Sequence, residues 1–231
     1  MATIHLIGGE KGGVGKSVVA RLLAQYMIDE HIAFVGFDTD RSHGALLRYY
    51  ADYAAQTAID HFESLDAIIE NAAAHPDRNI LVDLAAQTQQ PLTKWLEESG
   101  VLELAQELDI TMQYWHVMDS GKDSVDLLGK LLATFGDTMH YVLVLNQARD
   151  DNFSLLLQSP AYRQALEFGA KIVNIKRLYA PVMSKIDGLS LSFWAAKNKA
   201  EDSDQGLGLL ERQRLKIWLS HAYKEIASAG V

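Results

Sequence analysis

Apolar residues along this chain fall into two patterns: short, mostly apolar runs, and longer stripes that return every three or four positions. The runs cover residues 4–7, 32–37, 79–83, 109–117, 141–145 and 171–175. Most of their positions are apolar, as expected of strands buried on both faces, with polar residues such as His5, Gln113 and Asn174 among them. The stripes cover 18–27, 45–55, 65–74, about 119–135, 160–168 and 207–226. The last of these places Leu215, Trp218, Leu219, Ala222 and Ile226 on one helical face. Asp119 or Ser120, at the start of the fourth stripe, reads as a helix cap. Alternating strands and helices predict an α/β fold with a mostly parallel twisted sheet of six to eight strands and helices on both faces, a three-layer architecture.

Composition changes this picture little. The chain has 231 residues, 48% apolar and 22% charged, without repeats or a proline-rich linker. That favours one domain over residues 1–231. There is no cysteine, so disulfides, iron–sulfur clusters and thiolate zinc sites are excluded. No apolar run is long enough to span a bilayer, and no leader-like block precedes the first strand, so the expected compartment is cytoplasmic. A net charge of −9 opposes undirected binding to nucleic acid, leaving only a local basic patch for such a role.

Candidate chemistry concentrates after the first strand, in Gly9-Glu10-Lys11-Gly12-Gly13-Val14-Gly15-Lys16-Ser17. Strand, glycine loop and helix are the context of a phosphate-binding loop. Glycines let backbone N–H groups turn inward around phosphate oxygens, and the helix start adds further donors. In such a loop Lys16 reaches the β- and γ-phosphates of ATP and the Ser17 hydroxyl ligates Mg²⁺. Two later strand ends carry carboxylates. The second run closes on Asp38-Thr39-Asp40, and 79–83 closes on Asp83 in a Walker B pattern. Residues 84–87 then stand where a second switch would lie, with Gln87 either sensing phosphate or only leading into a helix. His116 has no ligand partner at a recognisable spacing and reads as structural. Tyr49, Tyr50 and Tyr53 read as core or interface.

With its second lysine at Lys11, the loop resembles the deviant Walker A loop of the ParA/MinD family of P-loop ATPases, which have a SIMIBI-like fold. That resemblance rests on the three nucleotide segments in the first ninety or so residues. It implies Mg²⁺-dependent ATP hydrolysis with Lys11, Lys16 and Asp40 as the catalytic set. Lys11 would cross to a partner subunit's ATP in a nucleotide-sandwiched homodimer, and Asp40 would position water. Gly12, Gly13, Val14, Gly15, Lys16, Ser17 and Val18 would contact the nucleotide, Asn146 would pair with the adenine edge, and Pro181 would touch the base. Ser17, Asp38 and Asp83 would hold the metal, Asp38 through water. Many members have Pro-Gln-Gly after the Asp-x-Asp, where this chain has Arg41-Ser42-His43-Gly44.

The later chain resembles the TraL-type subgroup associated with plasmid conjugal transfer and mobilisation. The resemblance therefore implies an ATP-dependent dimerising switch in plasmid partition, transfer or intracellular positioning, working with a recruited or stimulating protein. Non-specific DNA binding through Lys171, Lys176, Arg177, Arg212, Arg214 and Lys216 is one expected output. A MinD-like membrane role for the last helix is less favoured than a closing helix packed on the sheet. A small-molecule kinase or synthetase on the same fold is the alternative enzyme class.

Overall fold

A computed structural model describes residues 1–41, 44–199 and 206–231. Residues 42 and 43, part of the expected first switch, lie outside the described residues.

Seven strands form one sheet: β1 (Thr3–Gly8), β2 (Phe34–Asp38), β3 (Ala54–Gln56), β4 (Asn79–Asp83), β5 (Thr111–Met118), β6 (His140–Asn146) and β7 (Lys171–Ile175). Their order is β3-β2-β4-β1-β5-β6-β7, and every pairing is parallel. The loop-bearing strand β1 is therefore central, and all carboxyl ends open on one edge. Ligands bind at that edge in open α/β sheets.

Successive strand residues point to opposite faces, and both faces are buried. Leu6 and Val82 face a core completed by α3 (Phe62–Ala74), α4 (Gln89–Glu98), α5 (Val101–Glu107), α6 (Lys122–Phe135), α7 (Ser154–Leu157) and α8 (Pro160–Glu167). Ile7 and Leu81 face the other core, completed by α1 (Lys16–Asp29), α2 (Ala45–Tyr49), α9 (Ala180–Gly188), α10 (Phe193–Asn198) and α11 (Leu209–Ser228). The predicted stripe of α11 is buried at all five positions. It serves as the closing helix, and Trp218 also donates its indole N–H to Lys176 O at 2.6 Å.

The structure corrects one element. The helix expected over 45–55 stops at Tyr49, and Ala54–Gln56 pairs with Gly36–Asp38 as an edge strand. Alanine favours helix locally, but here pairing decides. Gly36 has no side chain, so Leu46 and Ala54 close in where a Cβ would stand, 2.8 and 3.1 Å away. Tyr53 stacks on Phe34 with centroids 5.2 Å apart. Asn79–Asp83 is consequently the fourth strand of the chain, not the third. The strand expected from residue 109 begins at Thr111, because Asp109 takes a left-handed φ of 54° after α5.

Candidate functional site

The glycine loop crosses the carboxyl end of β1 and runs into α1. Gly13 and Gly15 have φ of +74° and +100°, conformations that L side chains rarely adopt. At Gly15 the space is also closed, because a Cβ would collide with the Asn146 amide nitrogen. Among the described residues, no backbone acceptor meets the N–H groups of Gly13 through Lys16. A run of inward-turned donors at a helix N-terminus is an anion nest. Lys16 is 8% exposed and spans the loop, donating from Nζ to Lys11 O at 3.2 Å. Burial lowers its pKa, while the charges of Asp83, Glu10 and Asp40 oppose that shift.

The carboxylates meet because three strand ends are neighbours. Asp83 pairs in register with Ile7 on one side and Asp38 on the other. Asp83 is buried, and burial pushes its carboxyl up to about 8. The charge of Asp38 adds to that rise, while Lys16 and a hydrogen bond from Ser17 act against it. Ser17, Lys16 and Asp83 thus form one cluster. Asp38 is fully buried, and burial raises its pKa against hydrogen bonds from backbone N–H groups, chiefly Leu47. Its Oδ2 accepts from Leu47 N at 3.0 Å and its Oδ1 from Asp40 N at 3.0 Å. Asp38 therefore ties the Asp38–Asp40 segment to the start of α2. Asp40 sits within charge range of both Lys16 and Asp83.

Lys11 is held within its own subunit. Its Nζ lies 2.9 and 3.2 Å from the two Asp119 oxygens and 3.9 Å from Asp123. Asp119 also accepts from Ser124 Oγ at 2.6 Å and Gly121 N at 3.1 Å. Burial alone would raise the Asp119 carboxyl; hydrogen bonds from Ser124, Lys11 and Gly121, with the Lys11 charge, bring it below its usual value. The N-cap of α6 is Gly121, so Asp119 is more than the helix cap expected from sequence.

Asn146 ends β6 with its amide turned to the loop. Its Nδ2 donates to Val14 O at 2.6 Å and its Oδ1 accepts from Ala148 N at 3.1 Å. Beside it lies a cavity of about 240 Å³ lined by Val18, Asn146, Ile175, Leu178, Met183 and Trp218. Its lining is mostly apolar, with Lys176, Arg177 and Ser184 also contributing. Pro181 is exposed in the first turn of α9 and is not part of this lining; Ala180 and Met183 are.

Other expected residues separate. Lys171 begins β7 and Lys176 follows its end, so with about 3.3 Å per residue they lie at opposite edges of the sheet. Arg214 stacks over Tyr179 at 5.3 Å, and Arg212 donates to Leu207 O at 2.8 Å. Gln87 is exposed with φ 61°. His116 is buried, and burial lowers its pKa to about 4, as a structural histidine.

Sequence reasoning passed over three side chains. Thr39 donates from Oγ1 to Asp83 O at 3.1 Å and accepts from Ala85 N at 2.9 Å, joining the segments that follow β2 and β4. Glu10 accepts from Gln89 N at 2.7 Å, joining the loop to α4. Arg149 lies over the loop at Gly13, where a Cβ would stand 3.3 Å from its Nη2. For Asp119, the one signal was its place just after the strand that neighbours β1.

No protein-family model matches the chain. Over 249 residues it is 27% identical to Protein TraL of Escherichia coli, with all of both chains covered. It is 23% identical over 261 residues to a second Protein TraL of Escherichia coli, again with both chains covered in full. Protein MobD of Acidithiobacillus ferrooxidans is 27% identical over 228 residues, covering 96% of this chain and 95% of that one. Among solved structures, it is similar to the nucleotide-binding protein in complex with ADP from Archaeoglobus fulgidus. That likeness has a TM-score of 0.46 and 14% identity, and covers 79% of this chain and 84% of the other.

Proposed function

We propose that the chain is a Mg²⁺-ATP-binding, slowly hydrolysing switch that dimerises on ATP and serves plasmid conjugal transfer or mobilisation. One observation carries the nucleotide part: a glycine nest between β1 and α1 that faces the clustered side chains of Lys16, Ser17 and Asp83. These residues fit the ligand. The left-handed glycines shape a cradle for phosphate oxygens, and buried Lys16 matches their charge. Ser17 with Asp83 supplies hard oxygen donors for Mg²⁺, which neutralises charge on the phosphates when bound.

Within that site, Lys16 stabilises charge on the phosphate chain and Asp40 orients the attacking water. The cavity beside Asn146 receives the base. Because Asp38 also anchors α2, rearrangement at the phosphates would pass to α2 and the β3 edge. Lys11 would have to leave Asp119 before it could reach across to a second subunit. Full-length similarity to the TraL and MobD proteins supports the transfer role, and the broader ParA/MinD resemblance supports the dimer.

Light-scattering mass with Mg²⁺ and ADP or ATP, using Asp40→Ala to slow turnover, tests the switch. A dimer seen only with ATP is the expected result. A monomer with bound ATP would reject dimerisation and favour a small-molecule phosphotransferase, revealed by hydrolysis that depends on an acceptor. A lipid-binding reading of α11 has less support, because its apolar stripe is already packed in the core.

A further inference from the structure

We infer that Arg149 is a phosphate-contacting residue of the nucleotide site, supplied by the same subunit that supplies the loop. This rests on the nucleotide-binding reading above and adds a residue to it. The guanidinium stands over the loop: its Nη2 lies 3.3 Å from the position of a Cβ on Gly13, the residue whose φ of +74° shapes the nest. Among the described residues, none offers this guanidinium a hydrogen bond, an ion pair or a ring contact. Arg149 is followed directly by Asp150 and Asp151, yet neither carboxylate bridges to it.

The segment that carries Arg149 is braced on both sides. Ala148 N and Gln147 N donate to Asn146 Oδ1 and Ile175 O, and Asn146 itself grips Val14 O. On the far side Asp150 Oδ2 accepts from Ser120 Oγ at 2.7 Å and Asp150 Oδ1 from Asn152 N. Asp150 is thus occupied with loop structure, and the arginine beside it is presented to the glycine loop. An exposed arginine against a row of unpaired backbone donors has no protein partner among the described residues to explain it there. An anion bound in the nest would give it one, and guanidinium groups suit phosphate oxygens by charge and by their paired donors. With Lys11 engaged by Asp119, Arg149 and Lys16 are then the two cations the subunit brings to the phosphate chain in its resting state.

The test is titration of a fluorescent N-methylanthraniloyl-ADP into wild type, Arg149→Gln and Arg149→Lys, at about 0.1 M and 1 M KCl. Arg149→Gln is expected to bind roughly tenfold more weakly at low salt, the size of one charge-assisted contact. The deficit should shrink at high salt, where exposed charges are screened, and Arg149→Lys should recover part of the loss. Binding of Arg149→Gln equal to wild type overturns the inference and leaves the nucleotide reading intact. So does a loss that neither salt nor lysine changes, since that marks a role in loop shape. Wild type that fails to bind the probe overturns the nucleotide reading itself, and this inference with it.

Discussion

Removing Asp119 separates the intramolecular role of Lys11 from everything else the loop does. The two side chains are 30% and 17% exposed, with one short contact of 2.9 Å and a second of 3.2 Å. A part-exposed ion pair of this kind contributes about 0.5–1 kcal/mol after screening and side-chain ordering. Asp119→Ala also frees Ser124 Oγ and Gly121 N at the start of α6, so its full cost should be roughly 2–3 kcal/mol. Lys11→Ala loses only the pair. A double-mutant cycle by urea unfolding should therefore return a coupling of about 0.5–1 kcal/mol. Because the Asp119 carboxyl lies below its ordinary value of 3.8, the sign is fixed. The contribution is complete above that value and is lost only as pH falls through the depressed folded value. If an ATP dimer must release Lys11 in both subunits, Asp119→Asn should tighten it by twice the coupling, on the order of 5–30-fold. A coupling of zero at pH 7 would refute the argument that Asp119 holds Lys11.

Other outcomes follow from single sites. Gly15→Ala forces a Cβ into the Asn146 amide at φ +100°; it should cost roughly 2–3 kcal/mol by thermal unfolding and weaken nucleotide binding with it. His5 and His116 are buried, each with its pKa lowered to about 4 by burial. Their neutral forms support the fold fully above the unfolded value near 6.5, and that support fades as pH falls toward 4. Each should cost about 2 kcal/mol at pH 5 relative to pH 7, and His116→Gln should flatten the pH dependence of the melting temperature. Leu219→Ala should cost about 2–5 kcal/mol, whereas Ile217→Ala, half exposed on the same helix, should cost under about 0.5. Equal costs would contradict α11 as a closing helix.

How far the sequence reached depends on the range of the interaction. The strands of the central sheet were readable because burial on both faces writes a mostly apolar run, and α11 because its stripe has a helical period. The edge strand Ala54–Gln56 was not readable. Its three residues are kept in the sheet by Gly36 and by the Phe34–Tyr53 stack, contacts that residue type alone does not announce. The clustering of Lys16, Ser17 and Asp83 could be read because loop spacing and strand ends place them. Asp119 and Arg149 come from the segments that follow β5 and β6, more than 100 residues from the loop they approach. Only the strand order brings them to it. Pro181 lies outside the lining of the cavity beside Asn146, to which the first turn of α9 presents Ala180 and Met183.

The measurement that bears most directly on this account is calorimetric titration of Mg²⁺-ATP into wild type and Lys16→Ala. Saturable binding of one nucleotide per chain, lost or weakened at least about a hundredfold in Lys16→Ala, is the predicted result. No binding to wild type, or equal binding to both proteins, would contradict a nucleotide site in the glycine loop.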